Sequence, residues 1–244
     1  MFLVGDQADG ATIVEAVEAA LRERVPFATL RPRLQQSGLA FLLNLVEADA
    51  GWRPRYLEAS IAGFADAVEL MRDAIALTNR LMQHTPSAVT GTAIGDDAPE
   101  RTLATAELRY ADERLATLRT RGAATERITL LADCPLGELE LTAEGAKSTI
   151  TMSLRDGRRE TSRLTDRDPF VLEAQRTMRV LAGESADALH ARRDGSVLLA
   201  LEQAMDTGQV VTVEERSSRA NLVLVESHGS PTSTRRGRLH LVGV

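Results

Sequence analysis

The sequence predicts an α+β protein: an N-terminal helical bundle carrying a long antiparallel helical hairpin, then a mostly antiparallel sheet with inserted helices. Three observations predict it. The hydrophobic fraction is 43% over 244 residues, enough for a substantial core. Apolar residues in 57–75 and 104–118 recur at alternating spacings of 4 and 3, the seam of a coiled-coil-like contact. From about residue 122 the apolar period falls to 2. The predicted division is therefore 1–122 helical and 123–244 α+β, as two domains or on one shared core.

The elements follow in order. "MFLV" at 1–4 suits a short strand that could tie the halves together. "TIVE" at 12–15 has the pattern of a capping box, with Ile13, Val17 and Leu21 on one face of the helix behind it. Pro26 and Pro32 bracket a turn region. "LAFLLNLVEADAG", 39–51, is apolar almost all round and reads as a buried helix stopped by Gly51. Pro54 suits the first turn of a helix over 54–84, with Leu57, Ile61, Phe64, Val68, Met71 and Ile75 as its seam. Residues 85–99 read as a polar loop, and 100–121 as the returning arm, with Ala104, Leu108, Ala111, Leu115 and Leu118 facing the first seam.

Beyond 122, "ERITLLAD", "GELELTAE", "KSTITMSLRD" and "RRETSRLT" read as strands, with Asp156-Gly157 as a two-residue hairpin turn. Asp168-Pro169 begins a helix over 169–182. A short helix over 185–193 and another from Ser196 to Gly208 follow. Three strands, "QVVTVEER", "ANLVLVESH" and "RLHLVGV", close the chain and hold its end in the sheet.

Composition excludes several classes. Aromatics are 3%, too few for a base-stacking surface. The net charge of −6 is spread evenly, so neither half has the basic excess that a phosphate backbone needs, and no nucleic-acid partner is expected. The single cysteine allows no internal disulfide and no multi-cysteine metal site. The N-terminus lacks the basic segment and apolar run of a secretion signal, and no window approaches ~18 uninterrupted apolar residues, so no membrane span is expected. The expected location is a reducing bacterial cytoplasm. No P-loop or dinucleotide-type glycine loop occurs, and His84, His190, His228 and His240 show no ligand spacing, so neither cofactor nor metal is expected. Lys147, the only lysine, sits in a turn and is the one candidate for lysine chemistry.

The catalytic candidates are few. "LVLVESHG" places His228 at a strand end and locally resembles the strand-His-Gly element of caspase-like cysteine peptidases. In that family the nucleophilic cysteine follows the histidine; here Cys134 precedes it, and the family is not assigned. Cys134 stands between a strand and Pro135, and could act as a nucleophile with His228 or His240. Arg119, Gly122 and Ala124 match the R-x-x-G-x-A order of acyl-CoA-binding acetyltransferases, a pattern that needs a strand before and a helix after. The sequence predicts the reverse, so it reads as a helix end. Arg155, Arg158, Arg159 and Arg163 flank one turn and Arg235, Arg236 and Arg238 precede the last strand, as an anion or partner edge or as protection against strand pairing.

The heptad seams and the missing catalytic constellation together predict a non-catalytic, adaptor-like interaction or regulatory protein with a protein partner or self-association. A Cys134 hydrolase and a sensor of an anionic small molecule are the alternatives.

Overall fold

The computed structural model describes residues 2–4, 9–23, 25–29, 32–95, 102–165, 169–181, 187–214, 222–224 and 241–243. The chain opens with a parallel unit. β1 (Phe2–Val4) pairs with β2 (Phe27–Thr29) through α1 (Gly10–Glu23), the crossover that parallel neighbours require. The expected "MFLV" strand is present, but it pairs within this unit. The cap of α1 lies upstream of the expected box: Asp9 Oδ1 accepts from the Thr12 amide at 2.7 Å. Ile13 and Val17 are buried, while Leu21 is 46% exposed, so the apolar face ends before the last turn.

α2 (Ser37–Ala48) forms where the helix over 39–51 is expected, but it ends at the Asp49 cap before Gly51, which lies in a 3-10 turn, and Phe41 on it is exposed. The long helical hairpin is not formed. Residues 54–84 divide into β3 (Tyr56–Gly63) and α3 (Ala67–Met82), and the returning arm is two strands, β5 (Leu103–Arg109) and β6 (Leu115–Gly122). The expected polar loop contains β4 (Ala88–Ile94). The reason is arithmetic. A strand buries every second residue, so Leu57 and Ile61, or Ala104 and Leu108, stand four apart on a strand face as they would on a helix. The residues between decide: Ala59 and Ala106 are buried, whereas Phe64, a seam residue, is 68% exposed.

The four strands expected after 122 all form: β7 (Arg127–Cys134), β8 (Gly137–Glu144), β9 (Lys147–Leu154) and β10 (Arg159–Thr165). The Asp156-Gly157 turn joins the last two, with Gly157 at φ 87°, which favours glycine. α4 (Pro169–Leu181) follows as expected. The next two expected helices are one, α5 (Asp187–Thr207). Gly195 does not break it. A Cβ there would meet Ile13 and Val14 at 3.0 Å, so the glycine serves the close approach of α5 to α1.

β11 (Val211–Thr212) joins β4, and nine of the described strands form one sheet, β10-β9-β8-β7-β3-β6-β5-β4-β11. Only β3 and β6 run parallel in it. β12 (Leu222–Leu224) and β13 (Leu241–Gly243) form a separate antiparallel pair, not an extension of the main sheet. The mixed α+β class therefore holds, with the sheet much larger and the helical part much smaller than the sequence predicts.

One face of the sheet carries the core. Leu57, Ile61, Leu108 and Leu118 meet α3, which is buried along almost its whole length. The other face is polar. Thr105, Arg119, Ser60, Thr129, Thr142 and Thr149 stand in register across six strands. Among the described residues no helix is long and apolar enough to cross a membrane.

Candidate functional site

Parallel strands send their carboxyl ends to one side, and in α/β sheets ligands bind outside those ends. Among the described strands there are two such pairs, β1/β2 and β3/β6. Arg33, four residues after β2, joins their carboxyl ends. Its Nε donates to Glu126 Oε1 at 3.0 Å, and its Nη1 to Asp73 Oδ2 at 3.4 Å. Glu126 lies four residues past the end of β6, and Asp73 lies in α3, which begins four residues past β3. A Cβ on Gly63, the last residue of β3, would stand 3.8 Å from Arg33 Nε and 3.6 Å from Glu126 Cγ.

The cluster is partly enclosed. The Arg33 side chain is 21% exposed, Asp73 10% and Glu126 35%. Burial disfavours the charged guanidinium, but the Asp73 and Glu126 carboxylates outweigh it and hold Arg33 above its usual range. Gln36, three residues on, is buried, and its Oε1 has no hydrogen-bond partner. Nearby on β2, the Thr29 carbonyl accepts from Arg176 of α4, which also grips Glu173 through both oxygens, Nε to Oε2 at 3.1 Å and Nη2 to Oε1 at 2.5 Å. A fixed guanidinium and two carboxylates offer donors and acceptors together, the set that a molecule rich in hydroxyls needs.

The opposite end of α3 is closed structurally. Arg193 Nη2 donates to the Asn79 carbonyl at 2.7 Å and Arg114 Nη1 to the Met82 carbonyl at 2.8 Å. Two cations there satisfy the last carbonyls and the negative end of the helix dipole. Cavities of 620 and 540 Å³ lie away from the Arg33 cluster, one beside α5 and β11 and one beside His84, Tyr110 and Asp112.

The residues singled out from the sequence fall elsewhere. Cys134 is fully buried at the end of β7; its Sγ donates to the Trp52 carbonyl at 3.2 Å. Burial, with Asp133 adding to it, pushes its thiol up to about 12, so the thiolate is scarce at neutral pH. His228, His240, Arg235, Arg236 and Arg238 lie outside the described residues. Lys147 is exposed at the start of β9. Arg155 pairs with Asp133, Arg158 with Asp156, and Arg159 reaches Glu140 at 3.7 Å, so acidic neighbours offset three of the turn's cations. Arg119 and Gly122 lie on β6: a strand does precede Gly122, but β7 follows where the acyl-CoA pattern needs a helix.

Arg33, Asp73 and Glu126 were missed. One signal was available: Asp73 sits in a stretch, Met71 to Leu77, that is apolar on nearly every side, and a carboxylate so placed needs a cation.

No family model matches the sequence, and no curated protein matches it. Solved structures do share the fold. An oxidoreductase from Agrobacterium radiobacter, in complex with NAD+, L-tartaric acid and magnesium, aligns at a TM-score of 0.69 with 12% identity, over 86% of this chain and 72% of that one. The aldose-aldose oxidoreductase of Caulobacter crescentus, complexed with glycerol, aligns at 0.66 with 14% identity, over 86% and 71%. Scyllo-inositol dehydrogenase from Lactobacillus casei, with NAD(H) and scyllo-inositol bound, aligns at 0.63 with 12% identity, over 86% and 72%.

This likeness overturns the expectation of a non-catalytic, adaptor-like regulatory protein, and with it the cysteine hydrolase and the anion sensor. The heptad seams that motivated the first form no helical hairpin: Leu57 and Ile61 lie on β3, Val68, Met71 and Ile75 on α3, and the returning seam lies along β5 and β6, in a fold shared with solved oxidoreductases. The buried, protonated thiol removes the motive for the second, and the paired arginines that for the third.

A nicotinamide dinucleotide does not fit the starts of α1 and α3. Its pyrophosphate needs free amides at a helix start. At α1 the Gly10 amide donates to Glu202, at 3.3 and 3.4 Å from its two oxygens, and the Thr12 amide to Asp9. At α3 the Val68 and Glu69 amides donate to Asp66 Oδ1 at 2.8 and 2.9 Å, and the Ala67 amide to Thr102 Oγ1 at 2.8 Å.

Proposed function

We propose that this chain takes part in the oxidation–reduction of a small polyhydroxylated molecule, which it binds at the carboxyl-end edge around Arg33, Gln36, Asp73 and Glu126. The observation that carries the reading is the alignment with oxidoreductases over 84–86% of the chain. The ligands named for three of those proteins, L-tartaric acid, glycerol and scyllo-inositol, are small and rich in hydroxyls. The Arg33 cluster supplies matching chemistry: guanidinium donors held rigid, and carboxylate and amide oxygens that accept from hydroxyls.

A thermal-shift panel of inositols, aldoses, glycerol and hydroxy acids tests it. A ligand at a hundred times its Kd stabilises the native state by about 2.7 kcal/mol. In a chain of this size that is a rise in Tm of roughly 5–10 °C. Glu126→Gln and Gln36→Leu should each weaken the binding about tenfold, the loss of one hydrogen bond to a buried polar partner. Oxidation is read separately, as carbonyl formation from the ligand so found when a soluble two-electron acceptor is added and is itself reduced in equal amount. A panel without a shift, or binding untouched by both substitutions, sinks the proposal.

A further inference from the structure

Two helices that follow parallel strands, α1 and α3, have first amides bonded to oxygens of this same chain. At α1 the bond crosses the molecule: Glu202, on α5, reaches the Gly10 amide while Asp9 holds the Thr12 amide. There is no room to displace it cheaply. A Cβ on Gly10 would stand 2.4 Å from the Leu199 amide and 2.8 Å from the Gly195 carbonyl, so α5 lies directly on the start of α1. At α3 Asp66 and Thr102 do the same work. The sequence contains no G-x-G anywhere, so a fingerprint turn that brings backbone amides against a pyrophosphate is also missing.

We infer that Glu202 is the built-in partner of the Gly10 amide at the α1 start, and that neither this helix nor α3 accepts a dinucleotide. A bound pyrophosphate there would meet filled amides and the negative charges of Asp9 and Glu202, both adverse to a second anion. The hydride acceptor of the proposed reaction is then held by groups other than these two helix starts. The inference stands on the helix starts alone and does not depend on which substrate binds near Arg33.

Two titrations test it. NADH fluorescence with the wild-type chain should show no saturable binding with a Kd below about 1 mM. Inorganic pyrophosphate should leave the wild-type Tm unchanged. Glu202→Ala vacates the Gly10 amide, and its Tm should rise with pyrophosphate. Glu202→Gln keeps an acceptor in place and should not respond. Micromolar NADH binding to the wild type, competed by pyrophosphate, overturns the inference even if Glu202→Ala fails to fold. So does a folded Glu202→Ala protein that ignores pyrophosphate. The substrate panel above reads a different edge of the molecule, so the two proposals fail independently.

Discussion

Replacing Arg33 with methionine keeps most of the apolar stem and removes the guanidinium that joins the two parallel units. Arg33 Nη1 lies 3.4 Å from Asp73 Oδ2, and the Asp73 side chain is 10% exposed. At an effective dielectric of about 20 the gross attraction at that distance is about 5 kcal/mol. Desolvation of both groups offsets part of it, and measured costs of breaking buried pairs run about 3–5 kcal/mol. The partial exposure of Arg33 places it at the low end, about 3 kcal/mol, with the more exposed Glu126 adding less than about 1. The assay is urea denaturation at neutral pH of the wild type, Arg33→Met, Asp73→Asn and the double variant. Arg33→Met should lose about 3 kcal/mol, and the double variant less than the sum of the singles by about 1–3 kcal/mol, because it strands no charge. A loss under about 0.5 kcal/mol, or singles that add, would refute the view that Arg33 clamps β2 to the carboxyl ends of β3 and β6.

Further expectations concern the core, the thiol and the helix contact. Leu108→Ala opens a cavity between Val89, Ala116 and the helices and should cost about 2–5 kcal/mol, read as a fall in Tm. Cys134 should resist iodoacetamide in the native state near neutral pH and react in urea. Its native pKa, about 12, lies above that of the unfolded chain, so the native state holds the proton longer. Stability should therefore fall as pH rises from the ordinary thiol range toward about 12, and Cys134→Ala should lessen that slope, with Tyr110, whose pKa burial also raises, supplying a further part. Gly195→Ala pushes a methyl against Ile13 and Val14 and should cost about 1–3 kcal/mol by separating α5 from α1; an unchanged Tm would contradict that contact. Burial raises the Glu202 pKa most, so its ionisation weighs against the fold as pH rises through the carboxylate range. Glu202→Gln should match the wild type in acid and gain on it above that range.

What could be read from residue patterns depended on how local the deciding physics was. β7 to β10 were legible because each strand pairs with its sequence neighbour through a short turn. β3, β5 and β6 were not. Their apolar residues satisfy an i, i+4 test on either structure, and β3 is placed by pairing with β6 and β7, some sixty and seventy residues away. The Ala191–Ser196 region looked like a helix break because glycine and serine are poor helix formers, yet the close approach of α1 requires that glycine. The site stayed hidden for a related reason. Arg33, Asp73 and Glu126 are far apart in the chain, and none belongs to a motif.

By itself the sequence determined the mixed α+β class, the four-strand meander, the existence of a helix in the 39–51 region and the hairpin at Asp156-Gly157, since periodicity and turn chemistry act over a few residues. The tertiary structure decided that the seams break into β3 with α3 and into β5 with β6, that α5 closes the start of α1 through Glu202, and that Arg33 meets two carboxylates at the parallel carboxyl ends. Those outcomes are set by pairing energies between distant segments, and a local pattern compatible with both a helix face and a strand face carries no information about which partner will bury it.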